Sequence, residues 1–489
     1  MRSLKYLGFL FILGCLIMRV NVGACMEGPI RPAVSPKKLI SMTNYDFSVL
    51  TAEIVPATDS MPEYCDVRGV IPSEIKFAVK MPTNWNGRFQ MVGNGGFAGN
   101  ISHKQMEAGL IEGYAVASTD TGHDSNLEPL ATFAYNNREK EIDFAFRAVH
   151  LTAVTAKKIV EAYYGTEPSY SYWAGCSEGG RQALMEAQRF PEDFDGIIVG
   201  APVLNFSGTL ISKIWNAKAL LSCTFDKDKL NILANAVYDS CDGEDGLKDG
   251  LIENPLTCNF NPENDLLLCS GDAEEPECFT RGQIEALKKI YGGTKDSEGN
   301  QLFPGQPVGT EALKESPKAE SFLKYMAFEK DDPEYDWQTF NFDTDPQKMA
   351  YIHSIVDATD PDLSAFYANG GKIIHYHGWA DTSLNPIMSI DYYEKVLGFM
   401  GDQTEDFYRL YMVPGMFHCR GGVGCDEVDW LTPLVNWVEK GNAPEELTGA
   451  HSTEGNVDRT RPICPYPKVS KYKGTGDINT AANFICVEP

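Results

Sequence analysis

The sequence is short of positive charge: 42 lysines and arginines stand against 68 aspartates and glutamates, a formal net charge of −26. No basic stripe interrupts that deficit, so nothing in the chain could neutralise a phosphate backbone, and nucleic acid is excluded as a partner. Apolar runs long enough to give a stable membrane span are also missing, since a spanning helix needs about 20 such residues. Internal repeats and long low-complexity segments are absent, which excludes a solenoid or a fibre. What remains is a globular composition, 43% hydrophobic and 22% charged over 489 residues. That is enough for one large domain with an insertion, or for two to three domains.

Residues 1–24 read as a secretory signal: Arg2 and Lys5 come first, Leu7 to Met18 is apolar, and Val22-Gly23-Ala24 offers a small-residue cleavage site. Cleavage there removes Cys15 and leaves twelve of the 13 cysteines. An even set in an exported chain is expected to form disulfides, which disfavours a lipid-anchored start at Cys25. The expected location is therefore extracellular or periplasmic. The acidic surface favours solubility and repels free anions, although the field at a pocket can differ in sign from the net charge.

Between about Phe77 and Gly200, β-branched and aromatic runs alternate with helical patterns, the signature of a parallel sheet covered on both faces. Strands are expected at Phe77–Met81, Arg88–Val92, Tyr114–Thr119, Tyr170–Ala174 and Ile197–Val199. Ile142, Phe146, Val149, Ala153, Ala156, Val160 and Tyr163 mark one apolar helical stripe. From 205 to 345 the texture changes, with clustered cysteines and frequent Asp and Gly, which reads as an insertion. Alternation resumes at Lys372–His377 and Phe407–Val413, and Leu431, Leu434, Val435 and Val438 mark a late helix. The tail from Thr448 reads as surface loops fixed by a disulfide. The expected domains are thus a catalytic α/β unit of 25–204 and 346–489 and an inserted unit of 205–345.

Gly175-Cys176-Ser177-Glu178-Gly179 satisfies G-x-S-x-G between a strand and a helix, a sharp turn that needs small neighbours and lifts the serine hydroxyl above the sheet. A serine hydroxyl needs a base within hydrogen-bond reach and a third group to orient that base. Asp381 and His418 follow the last two expected strands in the order Ser, Asp, His, on loops where an open parallel sheet places its ligands. A Cys176–Cys419 disulfide would join the nucleophile and base loops, because Cα atoms so bonded lie about 4.4–6.8 Å apart. For the oxyanion, Glu178 N–H is one expected donor, and Gly95 or Gly96 in Gly93-Asn94-Gly95-Gly96-Phe97 is the other.

Gly175 to Gln182, His377-Gly378-Trp379-Ala380-Asp381, and Pro414 to Cys419 with Gly421-Gly422 resemble the three blocks of the tannase and feruloyl esterase family. That family joins a cysteine beside the catalytic serine to one beside the histidine. The resemblance implies an α/β-hydrolase fold with a large inserted lid, and a secreted serine esterase acting on galloyl, feruloyl or related aromatic esters of small molecules, plant polysaccharides or polyphenols. A homodimer is compatible with it.

Asp242, Asp245 and Asp249, with carbonyls at Leu247 and Leu251, form an Asp-Gly loop whose hard oxygen ligands suit structural Ca2+; spacing and the missing closing Glu rule out an EF-hand. The loop is similar to the calcium loop in the family's lid. By spacing and resemblance, Cys241–Cys258 and Cys269–Cys278 are local bridges, Cys25–Cys65 and Cys464–Cys486 tie the ends, and Cys223 and Cys425 remain for each other; the sequence alone leaves connectivity open. Trp215, Phe322, Tyr325, Phe328 and Trp337 are candidates to meet the acyl ring, with core packing the commoner role. Three other activities stay open: terephthalate monoester hydrolysis, peptide cleavage by the same triad, and non-catalytic carbohydrate binding.

Overall fold

The computed structural model describes residues 28–271, 275–310 and 316–489. The expected signal segment and Cys25 lie outside them. Nine strands form one sheet: β1 (Ser48–Val55), β2 (Tyr64–Ile71), β3 (Ile75–Pro82), β4 (Arg88–Val92), β5 (Ala115–Thr119), β6 (Tyr170–Cys176), β7 (Gly196–Gly200), β8 (Lys372–Gly378) and β9 (Tyr408–Val413). Their order is β1-β2-β3-β5-β4-β6-β7-β8-β9. The first three pairings are antiparallel and every pairing from β5 to β9 is parallel.

The parallel strands are buried on both faces. β5 and β7 are buried at every position and β8 at all but Lys372; β7 reads as an apolar run without alternation, while β5 and β8 also bury Ser118, Thr119, His375 and His377. β1 has Val49 and Ala52 buried while Glu53 and Ile54 are exposed, as suits an outer strand. Its weak, half-polar pattern explains why β1 and β2 carry no strand signal in the sequence. The longer helices are α1 (His103–Ile111), α2 (Ala148–Tyr164), α3 (Glu178–Arg189), α4 (Phe206–Ala219), α5 (Lys227–Cys241), α6 (Arg281–Gly292), α7 (Pro317–Tyr325), α8 (Ile387–Met400) and α9 (Leu431–Lys440).

The expected stripe holds along α2, where Val149, Ala153, Ala156, Val160 and Tyr163 are all buried. It breaks before α2. A π turn over Asp143–Arg147 sends Phe144 and Ala145 inward and leaves Ile142 and Phe146 half-buried; one extra residue per turn rotates the helix face by about 100°.

Among the described residues, 201–371 give no strand to the sheet. Leu233, Val237, Phe260, Leu266, Phe279, Ile284 and Leu287 pack there into a small core of their own, while Phe206, Leu210, Phe322 and Leu323 join the main one. The tail is more ordered than its loop-like composition suggests. Leu447–Thr453 pairs with Glu427–Val428 on one side and Asn456–Ile463 on the other, and Val469–Tyr472 pairs with Phe484–Val487. Asn100, in the glycosylation sequon Asn100-Ile101-Ser102, is exposed, whereas Asn205, in Asn205-Phe206-Ser207, caps α4 by accepting from Gly208 N–H at 2.9 Å. Among the described residues no helix is long and apolar enough to cross a membrane.

Candidate active site

Ser177 stands between β6 and α3 with φ of +64°, a left-handed conformation that crowds any Cβ. The turn closes only because its neighbours lack side chains: a Cβ on Gly175 would lie 2.5 Å from the Gly179 carbonyl oxygen, and one on Gly179 3.1 Å from Gly93 Cα. Ser177 N–H donates to the Gly200 carbonyl at 2.9 Å, and the Ser177 carbonyl accepts from Arg181 N–H at 3.1 Å. The nucleophile's backbone is thereby fixed to β7 and to the first turn of α3.

Asp381 follows β8 and is 1% exposed. Its Oδ2 lies 2.7 Å from His418 Nδ1. Its Oδ1 accepts from Ser383 N–H at 2.7 Å and Leu384 N–H at 2.9 Å. Burial alone would raise this carboxyl, but hydrogen bonds from His377 and His418 override it and hold the group well below the usual carboxylate range. The His418 ring is 27% exposed and open to the cavity.

Behind Asp381 runs a buried polar chain. His377 Nε2 lies 3.2 Å from Asp381 Oδ2, and His377 Nδ1 lies 2.7 Å from Ser389 Oγ. Ser389 Oγ is also 2.9 Å from His375 Nε2, whose Nδ1 is 2.7 Å from the Tyr408 hydroxyl.

Cys176 and Cys419 are bonded, with Cα atoms 6.0 Å apart across 243 residues of chain. Ser177 and His418, their neighbours, line one cavity of about 360 Å³. Phe97, Val203, Phe206, Leu210 and Leu384 supply its apolar wall, and Lys213, Asn216, Gln306 and Lys318 its polar one. Gly96, with φ of +64°, lines the cavity, whereas Gly95 is exposed and lies outside the lining. Asn94 anchors that loop: its amide donates to the carbonyls of Asn100 and Thr119 at 2.7 and 2.9 Å, and its own carbonyl accepts from Gly179 N–H at 2.8 Å.

Two residues of the serine block have roles that only the fold reveals. Gln182 Oε1 accepts from Asn94 N–H at 3.1 Å, tying the glycine loop to α3. Arg181, fully buried, pairs with buried Glu178 at 2.5 Å and donates to the carbonyls of Phe144, Ala145 and Val356. The five aromatic candidates take the core role. Phe322 packs on Phe206, Trp215 on Phe342, Tyr325 on Tyr135 and Phe328 on Tyr335, and Trp337 packs against the main core; the cavity lining includes none of the five.

In the Asp-Gly loop, Asp242 Oδ1 accepts from Asp249 and Gly250 N–H at 3.1 and 3.0 Å, Asp245 Oδ1 from Leu247 N–H, and Asp249 Oδ1 from Leu251 N–H. Asp249 Oδ2 meets Arg461 at 2.5 Å. Negative charge is in excess here. Burial and then the neighbouring Asp249 and Asp242 push Asp245 up, and burial with Asp245 and Asp249 pushes Glu253 up to about 8. Carboxylate and carbonyl oxygens are the donor type that a hard divalent cation takes, but the three aspartates do not converge within ligating distance of one another here.

Cys241–Cys258, Cys269–Cys278 and Cys464–Cys486 are also bonded. The remaining pairing differs from expectation: Cys223 and Cys425 are not joined. Cys425 is a buried thiol between the tail strands, its Sγ 3.8 Å from the Arg459 carbonyl. Cys223 follows α4, its Sγ 3.9 Å from the Ala219 carbonyl. Each is enclosed by a different packing unit, which assignment by elimination cannot detect. Cys65 is buried, and its expected partner Cys25 lies outside the described residues.

The profile described as tannase and feruloyl esterase matches residues 63–487. The chain is 35% identical to a probable feruloyl esterase of Arthroderma benhamiae, covering 83% of this chain and 81% of that one. It is 33% identical to the mono(2-hydroxyethyl) terephthalate hydrolase of Piscinibacter sakaiensis, covering 89% and 87%. The feruloyl esterase B structure from Aspergillus oryzae superposes with a TM-score of 0.85 at 28% identity, over 93% of this chain and all of that one. With the strand order of an α/β-hydrolase and a family match over most of its length, the chain belongs to the tannase and feruloyl esterase family of carboxylic ester hydrolases.

Proposed function

We propose that the chain cleaves aromatic acyl esters, feruloyl, galloyl or related, by a two-step acyl transfer at Ser177. The observation that carries this is the 2.7 Å contact of His418 Nδ1 with Asp381, on a loop disulfide-bonded to the residue before Ser177. Asp381 fixes the imidazole tautomer with its proton on Nδ1, leaving Nε2 as the base. Nε2 takes the hydroxyl proton as Ser177 Oγ attacks the ester carbonyl. The N–H groups of Glu178 and Gly96 stabilise the oxyanion. Collapse expels the alcohol, which receives that proton, and water then repeats the sequence on the acyl-enzyme to release the acid. Residues 205–345 act as a lid over the acyl group.

Asp242, Asp245 and Asp249, with the carbonyls of Leu247 and Leu251, hold Ca2+, which braces the lid and takes no part in the reaction. The four disulfides support export to an oxidising compartment. The names of the relatives support the aromatic acyl class.

Hydrolysis of methyl ferulate, methyl gallate and a peptide amide by the wild type and Ser177→Ala tests the reading. The expected result is turnover of an aryl ester, none of the amide, and a loss of at least about 1,000-fold in kcat for the variant. Activity surviving the substitution removes Ser177 as nucleophile.

A further inference from the structure

The cavity that Ser177 opens into contradicts the charge of the rest of the molecule. The chain carries −26 overall, yet among the described residues no aspartate or glutamate lines this cavity, and two lysines do. Lys213, on α4, donates to the Ser383 carbonyl at 2.8 Å. An ammonium has three N–H donors, so that bond leaves two for another acceptor. Lys318, in the first turn of α7, places its Nζ 3.9 Å from where a Cβ on Gly96 would stand. Among the described residues neither amine is in an ion pair.

This arrangement costs stability without a ligand. Burial, and then the charge of Lys318, push Lys213 down to about 8 against the pull of Asp381. Two unpaired like charges at a partly dehydrated wall are relieved by an anion that accepts from both. Around them the apolar side chains of Phe97, Phe206 and Leu210 suit an aromatic ring.

We propose that the preferred substrate carries, besides the scissile ester, a carboxylate that Lys213 and Lys318 bind inside this cavity. This rests on the esterase reading above and adds the charge of the substrate to it. The carboxylate can belong to the acyl ring or to the alcohol, and the two sources are separable.

The experiment measures kcat/KM on two matched pairs: monomethyl terephthalate against dimethyl terephthalate, and the ferulate ester of glycolic acid against methyl ferulate. The first pair carries the charge on the acyl side and the second on the alcohol side. In the wild type the carboxylated member of one pair is favoured by about tenfold or more, the scale of one charge-assisted hydrogen bond. In Lys213→Met and in Lys318→Met that ratio falls toward 1, and in Lys213→Arg it is retained. The ratio is taken within each variant, so a general loss of activity does not imitate the effect. Equal turnover within both pairs, or a ratio that neither Met variant moves, overturns the proposal and leaves the esterase reading intact. Turnover of none of the four esters overturns both.

Discussion

Asp381 accepts hydrogen bonds from two imidazoles, and only His418 reaches the cavity. His377 is fully buried, with Asp381 on one nitrogen and Ser389 on the other. Burial and then the neighbouring His377 push His375 well below its ordinary value, so that ring is neutral. The contacts are met when Tyr408 O–H donates to His375 Nδ1, His375 Nε2–H to Ser389, Ser389 O–H to His377 Nδ1, and His377 Nε2–H to Asp381. The far end thus fixes a donor on the carboxylate that orients the base. His377→Phe is expected to lower kcat by about 10- to 100-fold through misplacement of Asp381, with KM changed by no more than about twofold. Steady-state kinetics decide it; an unchanged kcat removes His377 as a positioning residue. That Ser177, Asp381 and His418 lie on neighbouring strand ends could be read from motif order. His377 stood in plain view within the aspartate block, but its partners are 12 and, by way of His375, more than 30 residues away, and only the fold brings them together.

α2 and α3 meet around a carboxyl group in poor surroundings. Glu186, on α3, is 1% exposed and accepts from no N–H or O–H donor, its carboxyl meeting that of Asp193. Burial and then Asp193 push it well above its ordinary value, with Lys157 pulling the other way. The folded protein therefore holds a proton there that the unfolded chain, with a carboxyl near 4.3, releases. Stability is accordingly expected to fall as pH rises from about 4 towards the folded value. Glu186→Gln is expected to raise Tm at pH 8 by about 1–3 °C and to leave it nearly unchanged at pH 4. A thermal difference independent of pH would show that the proton is not the cause. The same scale explains the limits of the sequence reading. β4 to β9 were legible because doubly covered strands are largely apolar, whereas β1 and the tail strands alternate weakly and depend on partners for their conformation. The π turn before α2 was invisible because both registers present apolar residues.

For the whole molecule, the Asp-Gly loop links parts distant in sequence. Asp249 meets Arg461 of the tail strand Asn456–Ile463, and Glu253 accepts from Ser470 N–H at 2.7 Å. If Ca2+ fills the loop, chelation with EGTA should lower Tm by several degrees and added calcium restore it, since occupancy at 100 times Kd adds about 2.7 kcal/mol. A Tm indifferent to both would show that the loop closes on its own hydrogen bonds. The division into a catalytic framework and an inserted segment could be read from the interruption in βα alternation. The identity of the cavity wall could not, because Lys213 and Lys318 lie more than 100 residues apart and look like ordinary surface lysines in the sequence.

The Cys176–Cys419 bond spans nearly half of the chain and joins the end of β6 to the segment after β9. Under reducing conditions Ser177 would still be held by β7 and α3, and His418 by Asp381, but no covalent link would join their two segments.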